Sequence, residues 1–479
     1  MAGIGIRLNK IFNKNSIASK LVGCGYSVVV TIAPMLIIIT VVVLMQLLLG
    51  FSKLDFYTRE LYSCTVLYIF VFALLTTSPF NAVVSRYMSD IIYEERYEDI
   101  PPCFYMGLAL NTILSFIPAA FFCWREYHIG GINIWYVFAG FTGYMCMIFT
   151  FTVMLYLSIC KDYKKISGFY VLGMMVTLVL SLILHYIFGV RTDVAMLVSL
   201  DVGLLLIAVQ EFSLFRRYFK KNSGNYYGMV PYLKKYWQLV VADFFYIFGL
   251  YVHNFVFWTT DWHLIVAKSF VCNQPYDMAS CLAMFTNITA SVIFITRVEM
   301  YFHSKYKAYS EAVIGGRGLD IQNAKQRMFR QLMEEIMTLV RVQFIVTTPV
   351  FMIAMILLPR FGFGGNTMRI YPCLTVGYFI MFIMYSFIIF LYYFNDLTGA
   401  VVTSVTFFIV TMLASIVATH LPVVWFGTGL VVGAVAGFSV AYYRMRRMEK
   451  TLDVHIFCSG SILKKGRGKM PSNLVYERK

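Results

Sequence analysis

Apolar runs fill most of the chain between Leu21 and Val440, and short polar gaps separate them. A helix needs roughly 20 apolar residues to cross the hydrocarbon core of a bilayer. The pattern therefore predicts an all-α polytopic membrane protein with about twelve transmembrane helices. The first run has 32 uncharged residues, which is long enough for a helix to tilt or to bend at Pro34. The predicted spans are Leu21–Ser52, Leu61–Val84, Ile100–Phe122, Ile132–Ser158, Ile166–Val190, Val194–Gln210, Gln238–Trp258, Ala279–Thr296, Ile336–Leu358, Ile370–Leu391, Thr398–Ala418 and Val423–Tyr443.

Basic residues concentrate in every second gap. Of the 40 Lys and Arg residues, 32 lie in the N-terminal segment, in alternate gaps and in the C-terminal tail, whereas the opposite gaps hold only 7. Cytoplasmic loops carry the excess of Lys and Arg, so the pattern predicts that both termini are cytoplasmic. The longest outward gap, Thr259–Met278, has about 20 residues, which is too short for a catalytic domain on that side.

Topology also explains the formal net charge of +16, so nucleic-acid binding is not expected. Residues 1–20 form an amphipathic pattern typical of an interfacial helix, and the basic tail is expected to contact anionic lipids. The ten cysteines contain no CxxC pair and no spacing with His that is typical of zinc sites. The sequence therefore predicts no metal, no cofactor and no catalytic residue.

Charge and span order divide the chain into two halves of six spans, which run in the same direction and predict a two-lobed transporter with a central cavity. An irregular twelve-helix bundle is the alternative, because the halves have no evident sequence similarity. The predicted regions are a cytoplasmic segment 1–20, an N-lobe 21–211, a basic cytoplasmic loop 212–237, a C-lobe 238–443 that contains a cytoplasmic helical hairpin 298–335, and a basic tail 444–479.

The hairpin 298–335 is the most distinctive polar element of the chain. Apolar residues recur at helical spacing up to Val313, glycines at 315, 316 and 318 break the helix, and a second helix is predicted from near Leu319. This hairpin is expected either to rest on lipid headgroups or to dock a cytoplasmic partner through Tyr306 and Tyr309. The sequence Gly315-Gly316-Arg317-Gly318 lacks the Gly-Lys-Ser/Thr of a phosphate loop, so nucleotide binding is not expected.

Charged residues at membrane depth are costly and therefore mark cavities or ion pairs. Asp201 lies near the middle of span six and is a candidate for a cavity-facing or proton-binding acid. Asp243 and Arg341 lie at similar depth in spans seven and nine and are candidates either for an ion pair or for a role in the substrate path. His185 and His253 are near span ends, where hydrogen-bonded structural roles are the more common ones.

Several segments occur in a recognisable order from the first residue to about Ala400. They are Met1–Lys10, Ser85–Tyr97, Pro275–Asp277, Arg297–Glu299 leading into Phe302, Tyr306, Tyr309, Ala312, Gly315, Gly316 and Leu319, and the corner Tyr392–Asp396 with Gly399 and Ala400. In this order they resemble the Pel exopolysaccharide inner-membrane transporter family (PelG-like), a branch of the flippase superfamily that contains multidrug and lipid-linked oligosaccharide exporters.

The resemblance implies two six-helix lobes that export an amino-sugar polymer made by a cytoplasmic glycosyltransferase. It also implies a membrane scaffold and a cyclic-di-GMP receptor as further partners. The chain departs from the family in span seven, where His253-Asn254 replaces an expected Asp-Lys pair. It departs again at Asn395-Asp396, where two acidic residues are expected.

These observations predict a bacterial, multi-pass inner-membrane exporter of a nascent exopolysaccharide of biofilms, which is not an enzyme. Asp201, Asp243 and Arg341 are expected in the cavity, with Arg297 and Glu299 at its cytoplasmic mouth. A lipid-linked oligosaccharide flippase or an ion-coupled drug exporter is the alternative within transporters. A membrane acyltransferase or glycosyltransferase is the alternative from another class; the acyltransferase would need His185 or His253 to face a cavity.

Overall fold

The computed structural model describes residues 34–160, 163–288, 302–361 and 364–459. Helices dominate these residues, and one short hairpin of two strands interrupts them. In chain order the elements are α1 (Pro34–Leu48), α2 (Phe56–Tyr93), α3 (Ile100–His128), α4 (Ile134–Cys160), α5 (Tyr163–Tyr186), α6 (Thr192–Tyr218), α7 (Met229–Lys235), α8 (Trp237–Phe257), β1 (Leu264–Val266), β2 (Phe270–Cys272), α9 (Gln274–Asn287), α10 (His303–Gly315), α11 (Gly318–Leu357), α12 (Asn366–Tyr393), α13 (Leu397–Ala418) and α14 (Thr428–Ser459).

Ten of the described helices are long and apolar enough to cross a membrane: α2, α3, α4, α5, α6, α8, α11, α12, α13 and α14. The helices α1 and α9 cover parts of the first and eighth predicted spans, of which residues 21–33 and 289–296 lie outside the described residues. This confirms the prediction of an all-α polytopic membrane protein. The predicted segment 1–20, the end of the tail from residue 460, Arg297 and Glu299 also lie outside the described residues.

Local sequence signals explain where several helices begin. The carboxylate of Asp55 accepts the backbone N–H of Thr58 (3.0 Å) at the start of α2, and Asp396 accepts that of Gly399 (2.9 Å) at the start of α13. Asn273 does the same for Tyr276 at the start of α9, where Pro275 occupies the first turn. Each side chain satisfies a backbone donor that the helix itself leaves unpaired.

Two separate hydrophobic cores correspond to two lobes. The first contains buried residues of α1 to α6 and reaches from Ile38 to Phe215, and it also takes in Met229 and the β-hairpin. The second reaches from Ala242 to Leu452 and contains residues of α8 to α14. Apart from the β-hairpin, each core is built from one half of the chain, so the helices form two lobes. A third, small cluster lies between them and consists of Val83, Tyr236, Leu239 and Leu397.

Small residues allow the closest helix packing in the second lobe. Gly429, Gly433 and Gly437 are four residues apart on α14 and lie on one helix face. A Cβ at Gly429 or Gly433 would overlap Ser415 or Thr411 of α13, and one at Gly437 would overlap Met384 of α12. In membranes, such small residues drive helix association because backbones can approach closely.

The region predicted as a basic loop at 212–237 is shorter and more ordered than the sequence indicates. Helix α6 continues to Tyr218, α7 occupies Met229–Lys235, and only residues 219–228 lie between them. The apolar pattern of α6 extends beyond Gln210 through Phe212, Leu214 and Phe215, of which Leu214 and Phe215 are buried. The dense basic charge at Arg216 and Arg217 hid this last turn of the helix.

Candidate functional site

The two lobes meet along a seam between α2 and α8, which run antiparallel. Contacts at its two ends come from different residues. One end carries Ala82 and Arg86 of α2, whereas the other carries Tyr68 and Phe72. The charge pattern predicts that the first end is cytoplasmic and the second extracytoplasmic. We refer to them as the inner and outer ends of the seam.

Asp243 joins the lobes at the inner end. Its carboxylate accepts the backbone N–H of Ala82 in α2 (3.2 Å) and the phenol of Tyr392 in α12 (2.8 Å). Ala82 lies three residues after Pro79, which has no N–H and interrupts the helical ladder of α2. Arg341 is exposed on α11, and the observed partners of Asp243 are Ala82 and Tyr392, so the described residues show no contact that supports the ion-pair alternative.

Arg86 makes the second inner contact. Its guanidinium donates to Oδ1 of Asn395 (2.9 Å), and it lies over the ring of Tyr236 at 4.2 Å. Asn395 belongs to the corner before α13 and has a positive φ of 58°, a conformation that Asn adopts more readily than most residues. The amide oxygen of Asn395 accepts a hydrogen bond from the guanidinium of Arg86, at a position where the family resemblance led us to expect a carboxylate.

At the outer end, aromatic rings of α2 stack on rings of α8 and its C-terminal end, and α2 also contacts strand β2. Tyr68 stacks on Trp258 with ring centroids 5.4 Å apart, and Phe72 stacks on Phe255 at 6.2 Å. The Tyr68 hydroxyl donates to the carbonyl of Val271 (2.8 Å) and accepts its N–H (3.0 Å), so it pairs with β2 as a neighbouring strand would. Gln274 donates to the carboxylate of Glu60 at 3.2 Å.

A buried polar network fills the second lobe beside the outer end. Asp277 accepts hydrogen bonds from the amide of Asn254 (2.7 Å), from the indole of Trp258 (2.9 and 3.0 Å) and from the backbone of Asn273 (3.0 Å). His253 is fully buried and shares a hydrogen bond of 2.9 Å with Tyr276. The segment Pro275–Asp277 and the departure His253-Asn254 are therefore direct contact partners.

A largely apolar cavity of about 320 Å³ lies within the first lobe. It is bounded by α2, α3, α4 and the β-hairpin, and aromatic rings form much of its wall. The polar groups that reach it include Thr65, Thr76, Tyr136 and Glu126. Aromatic faces with a few hydroxyl groups are suited to ligands that combine apolar surface with hydrogen-bonding groups, as sugars do.

Asp201 lies directly behind the wall of this cavity. It is 6% exposed, its Oδ1 has no hydrogen-bond partner, and a Cβ on Gly143 of α4 would overlap that oxygen. The same Cβ would lie 3.1 Å from Ile69, which lines the cavity. Asp201 is thus an unpaired acid that one layer of side chains separates from the cavity.

Among the buried acids of the first lobe, sequence reasoning missed two that have no ion-pair partner in the described part of the chain. Glu126 lines the cavity near the end of α3, and Glu211 is fully buried in α6. Both carboxylates lack a hydrogen-bond partner that meets ordinary geometry. Each lies just past the predicted end of its span, and the continued apolar spacing beyond Phe122 and Gln210 is the signal that could have found them.

The two tyrosines predicted to dock a partner occupy different positions. Tyr309 is fully buried, and its hydroxyl donates to Asp453 of α14 at 2.9 Å. Burial and this hydrogen bond raise the pKa of the Tyr309 phenol. Tyr306 packs with Tyr393 and is only partly buried. Tyr309 therefore joins the hairpin to α14 and does not face solvent.

His185 and His253 lie in different lobes. His185 is within hydrogen-bond distance of the carbonyl of Val190 (3.2 Å), whereas His253 bonds Tyr276. Neither residue lines the described cavity. Within the described part of the chain, no group of three or more His, Cys, Asp or Glu side chains is arranged to hold a metal ion.

Two helical lobes that meet along a seam form a MATE-like polytopic fold, as comparison with solved structures shows. An outward-facing multidrug resistance MATE family transporter of the MOP superfamily superimposes with a TM-score of 0.58 at 14% identity, covering 89% of this chain and 96% of that one. An inward-facing conformation gives 0.57 at 11% identity over the same shares. A MATE structure in the bent conformation gives 0.57 at 16% identity, covering 88% and 95%.

The sequence itself identifies the family. Residues 1–457 match the family described as "PelG: Putative exopolysaccharide Exporter (EPS-E)", and the chain belongs to that family. No curated protein matches the chain. Family and fold are those of transporters rather than enzymes, and the chain is a multi-pass integral membrane protein, consistent with the bacterial inner membrane.

Proposed function

We propose that this exporter carries a nascent, amino-sugar-rich exopolysaccharide across the cytoplasmic membrane as a cytoplasmic glycosyltransferase makes it. The observation that carries the proposal is the family match over residues 1–457, together with the transporter fold. A membrane scaffold and a cyclic-di-GMP receptor protein are further partners in this proposal. They rest on the family resemblance alone.

The seam suggests how a path between the lobes could open. The inner end combines polar contacts with a small apolar cluster, whereas aromatic rings and hydrogen bonds to the β-hairpin hold the outer end. Parting of the inner end would break the Asp243–Ala82 and Arg86–Asn395 bonds, whereas the Asp243–Tyr392 bond lies within the second lobe. In this proposal the hydrogen bond between Asp243 and Ala82 holds the inner ends of the lobes together, and Arg341 lies outside the substrate path.

Asp201 is the proposed site of coupling to an ion gradient. An unpaired carboxylate at membrane depth is costly unless it is neutralised or exchanges a proton or cation when its surroundings open to water. Its place behind the cavity wall would link such an exchange to the contents of the cavity. The alternative energy source for export is polymerisation itself, which would move the growing polymer through the membrane. Asp201 would then be dispensable.

The test is a strain that lacks this chain but keeps its glycosyltransferase, complemented with wild type, Asp243→Leu or Asp201→Asn. Polymer outside the cells is measured with an N-acetylgalactosamine-specific lectin. Wild type should restore secretion, and Asp243→Leu should reduce it several-fold because it removes the acceptor of both hydrogen bonds at similar side-chain size. Unchanged secretion by Asp201→Asn at all pH values would favour drive by polymerisation.

Efflux separates polymer export from the main alternative. An ion-coupled drug exporter works without other subunits, so the chain expressed alone should then remove a cationic dye from cells. Dye efflux by the chain alone, with secretion independent of the glycosyltransferase, would contradict the proposal. Lipid-linked oligosaccharide accumulating in the inner leaflet of the deletion strain would favour a flippase.

A further inference from the structure

Two free cysteines meet at the outer end of the seam. The sulfur of Cys64 in α2 lies 3.1 Å from that of Cys272 in β2, although the residues are 208 positions apart. Both are buried, at 2% and 3% exposure. A disulfide bond is about 2.05 Å long, so the two sulfurs lie about 1 Å beyond bonding distance.

The face of α2 that carries Cys64 contacts the β-hairpin and the start of α9 at the seam. Glu60, Cys64 and Tyr68 follow one another at four-residue intervals and therefore share one face of α2. Glu60 contacts Gln274, and Tyr68 contacts Val271 on both its N–H and its carbonyl. Cys272 lies between these two contact points, so hydrogen bonds on either side hold the thiols in register.

We propose that Cys64 and Cys272 form a reversible disulfide that holds the outer ends of the two lobes together. The charge pattern predicts that this end faces the extracytoplasmic side, where disulfides form and persist. The bond joins the first lobe to the hairpin that precedes α9 of the second lobe. It would leave the inner end, with Asp243 and Arg86, free to move.

The oxidant is another disulfide, either on a protein thiol oxidase or on a small molecule. The thiolate of one cysteine attacks this disulfide and forms a mixed disulfide, which releases one thiol. The second cysteine then displaces the other half, so two protein thiols become one bond and the oxidant gains two electrons and two protons as two thiols. A reducing thiol reverses the exchange.

Burial of both sulfurs makes the reaction depend on conformation. Because Cys64 and Cys272 are both buried, a protein oxidant cannot reach either thiol while the outer end is packed as observed. The first step therefore needs the lobes to part there, and the second needs them to close. The bond then stabilises the closed outer end, which on the proposed function would stop export until the bond is reduced.

Cleavage of the chain between the lobes tests the bond directly. Residues 220–225 are exposed and lie outside helices, so a specific protease site can be inserted there with little strain. Membranes that contain the full chain are treated with oxidised glutathione, cleaved, and run on a gel without reductant. The two halves should migrate together, and dithiothreitol should separate them.

Serine variants show which cysteines form the disulfide. Cys64→Ser and Cys272→Ser should each abolish co-migration, whereas Cys103→Ser, at another buried cysteine of the first lobe, should not. Separate halves in oxidised wild type would overturn the proposal, as would co-migration that survives in Cys64→Ser. This readout does not require transport, so it is unaffected if the chain exports something other than a polysaccharide.

A second measurement tests the closing role. Oxidation of cells should stop lectin-detected secretion in wild type, and added dithiothreitol should restore it, while Cys64→Ser should secrete equally in both conditions. Secretion that continues in a fully cross-linked wild type would overturn the role of the bond in closing the outer end. Absence of secretion from reduced wild type and from Cys64→Ser, while oxidised wild type still cross-links, would instead contradict the proposed function.

Discussion

At the scale of single residues, the contact between Gly143 and Asp201 is the tightest constraint on the proposed coupling site. A Cβ at position 143 would overlap the carboxylate of Asp201 and press on Ile69. We expect Gly143→Ala to destabilise the protein by about 1–3 kcal/mol, the usual cost of overpacking a core. Thermal unfolding of the purified protein in detergent measures this as a lower Tm.

Gly168→Ala is the matched control, because Gly168 also lies in a helix but a Cβ there would meet open space. That replacement should leave the Tm unchanged or raise it slightly, since Ala favours helix. In an Asp201→Ala background the cost of Gly143→Ala should fall, because the overlapping oxygen is gone. Equal costs in both backgrounds would mean that the two residues do not press on one another.

The candidate site divides into residues that the sequence identifies and partners that it cannot. Asp201 and Asp243 can be identified as candidates from the sequence, because an acid within an apolar run is costly in the membrane and therefore marks a functional or paired position. Their neighbours cannot be identified in this way. Ala82 contacts Asp243 through its backbone N–H alone, and Gly143 matters because it has no side chain to displace Asp201. Equal depth in the membrane suggested Arg341 as a partner, but depth says nothing about which helix face a residue occupies.

At the scale of elements, the hairpin α10–α11 and the end of α14 form one cytoplasmic unit on the predicted topology. Asp453 holds it together, accepting from Tyr309 at 2.9 Å and from Lys325 at 2.7 Å, and the Lys325 side chain is only 15% exposed. The raised pKa of Tyr309 keeps its phenol a donor. This contribution to stability is complete below about pH 10, the ordinary phenol pKa, and is lost as pH rises toward the folded-state value.

We expect Asp453→Ala to release α14 from the hairpin and leave the Tyr309 hydroxyl without its acceptor. Limited trypsin digestion in membranes should then cut at Lys305, Lys307 or Arg317 several-fold faster than in wild type. Glu449→Ala is the control, because the Arg446–Glu449 pair is 53% and 40% exposed and such surface pairs contribute little. Equal digestion rates for all three proteins would show that Asp453 does not secure the unit.

The helices were predictable because membrane spans are long and uniformly apolar, but the β-hairpin was not. Its strands have three residues each, and Ala267 and Lys268 turn with φ of 50° and 58°, values more typical of Gly or Asn. Pairing with Tyr68 and burial of Phe270 in the first lobe stabilise it. The pairing with Tyr68 spans 203 positions, and Phe270 packs on the distant Phe122, so no local pattern reveals these contacts.

At the scale of the whole molecule, every mechanistic assignment depends on which end of the seam faces the cytoplasm. Ala82 and Asp243 were assigned to the inner end only because Lys and Arg concentrate in the gaps next to them. The same assignment puts the cysteine pair in an oxidising compartment and the hairpin where a glycosyltransferase would deliver polymer. The orientation is therefore a prediction on which the others rest.

Labelling of single introduced cysteines tests the orientation. Asp261→Cys lies in the exposed turn after α8, and Lys220→Cys in the exposed segment after α6. In intact cells, a membrane-impermeant maleimide should label Asp261→Cys, whereas Lys220→Cys should react only after the inner membrane is permeabilised. The unsubstituted chain gives the background. The reverse pattern would invert the molecule and place Cys64 and Cys272 in the reducing cytoplasm, where their disulfide would not persist.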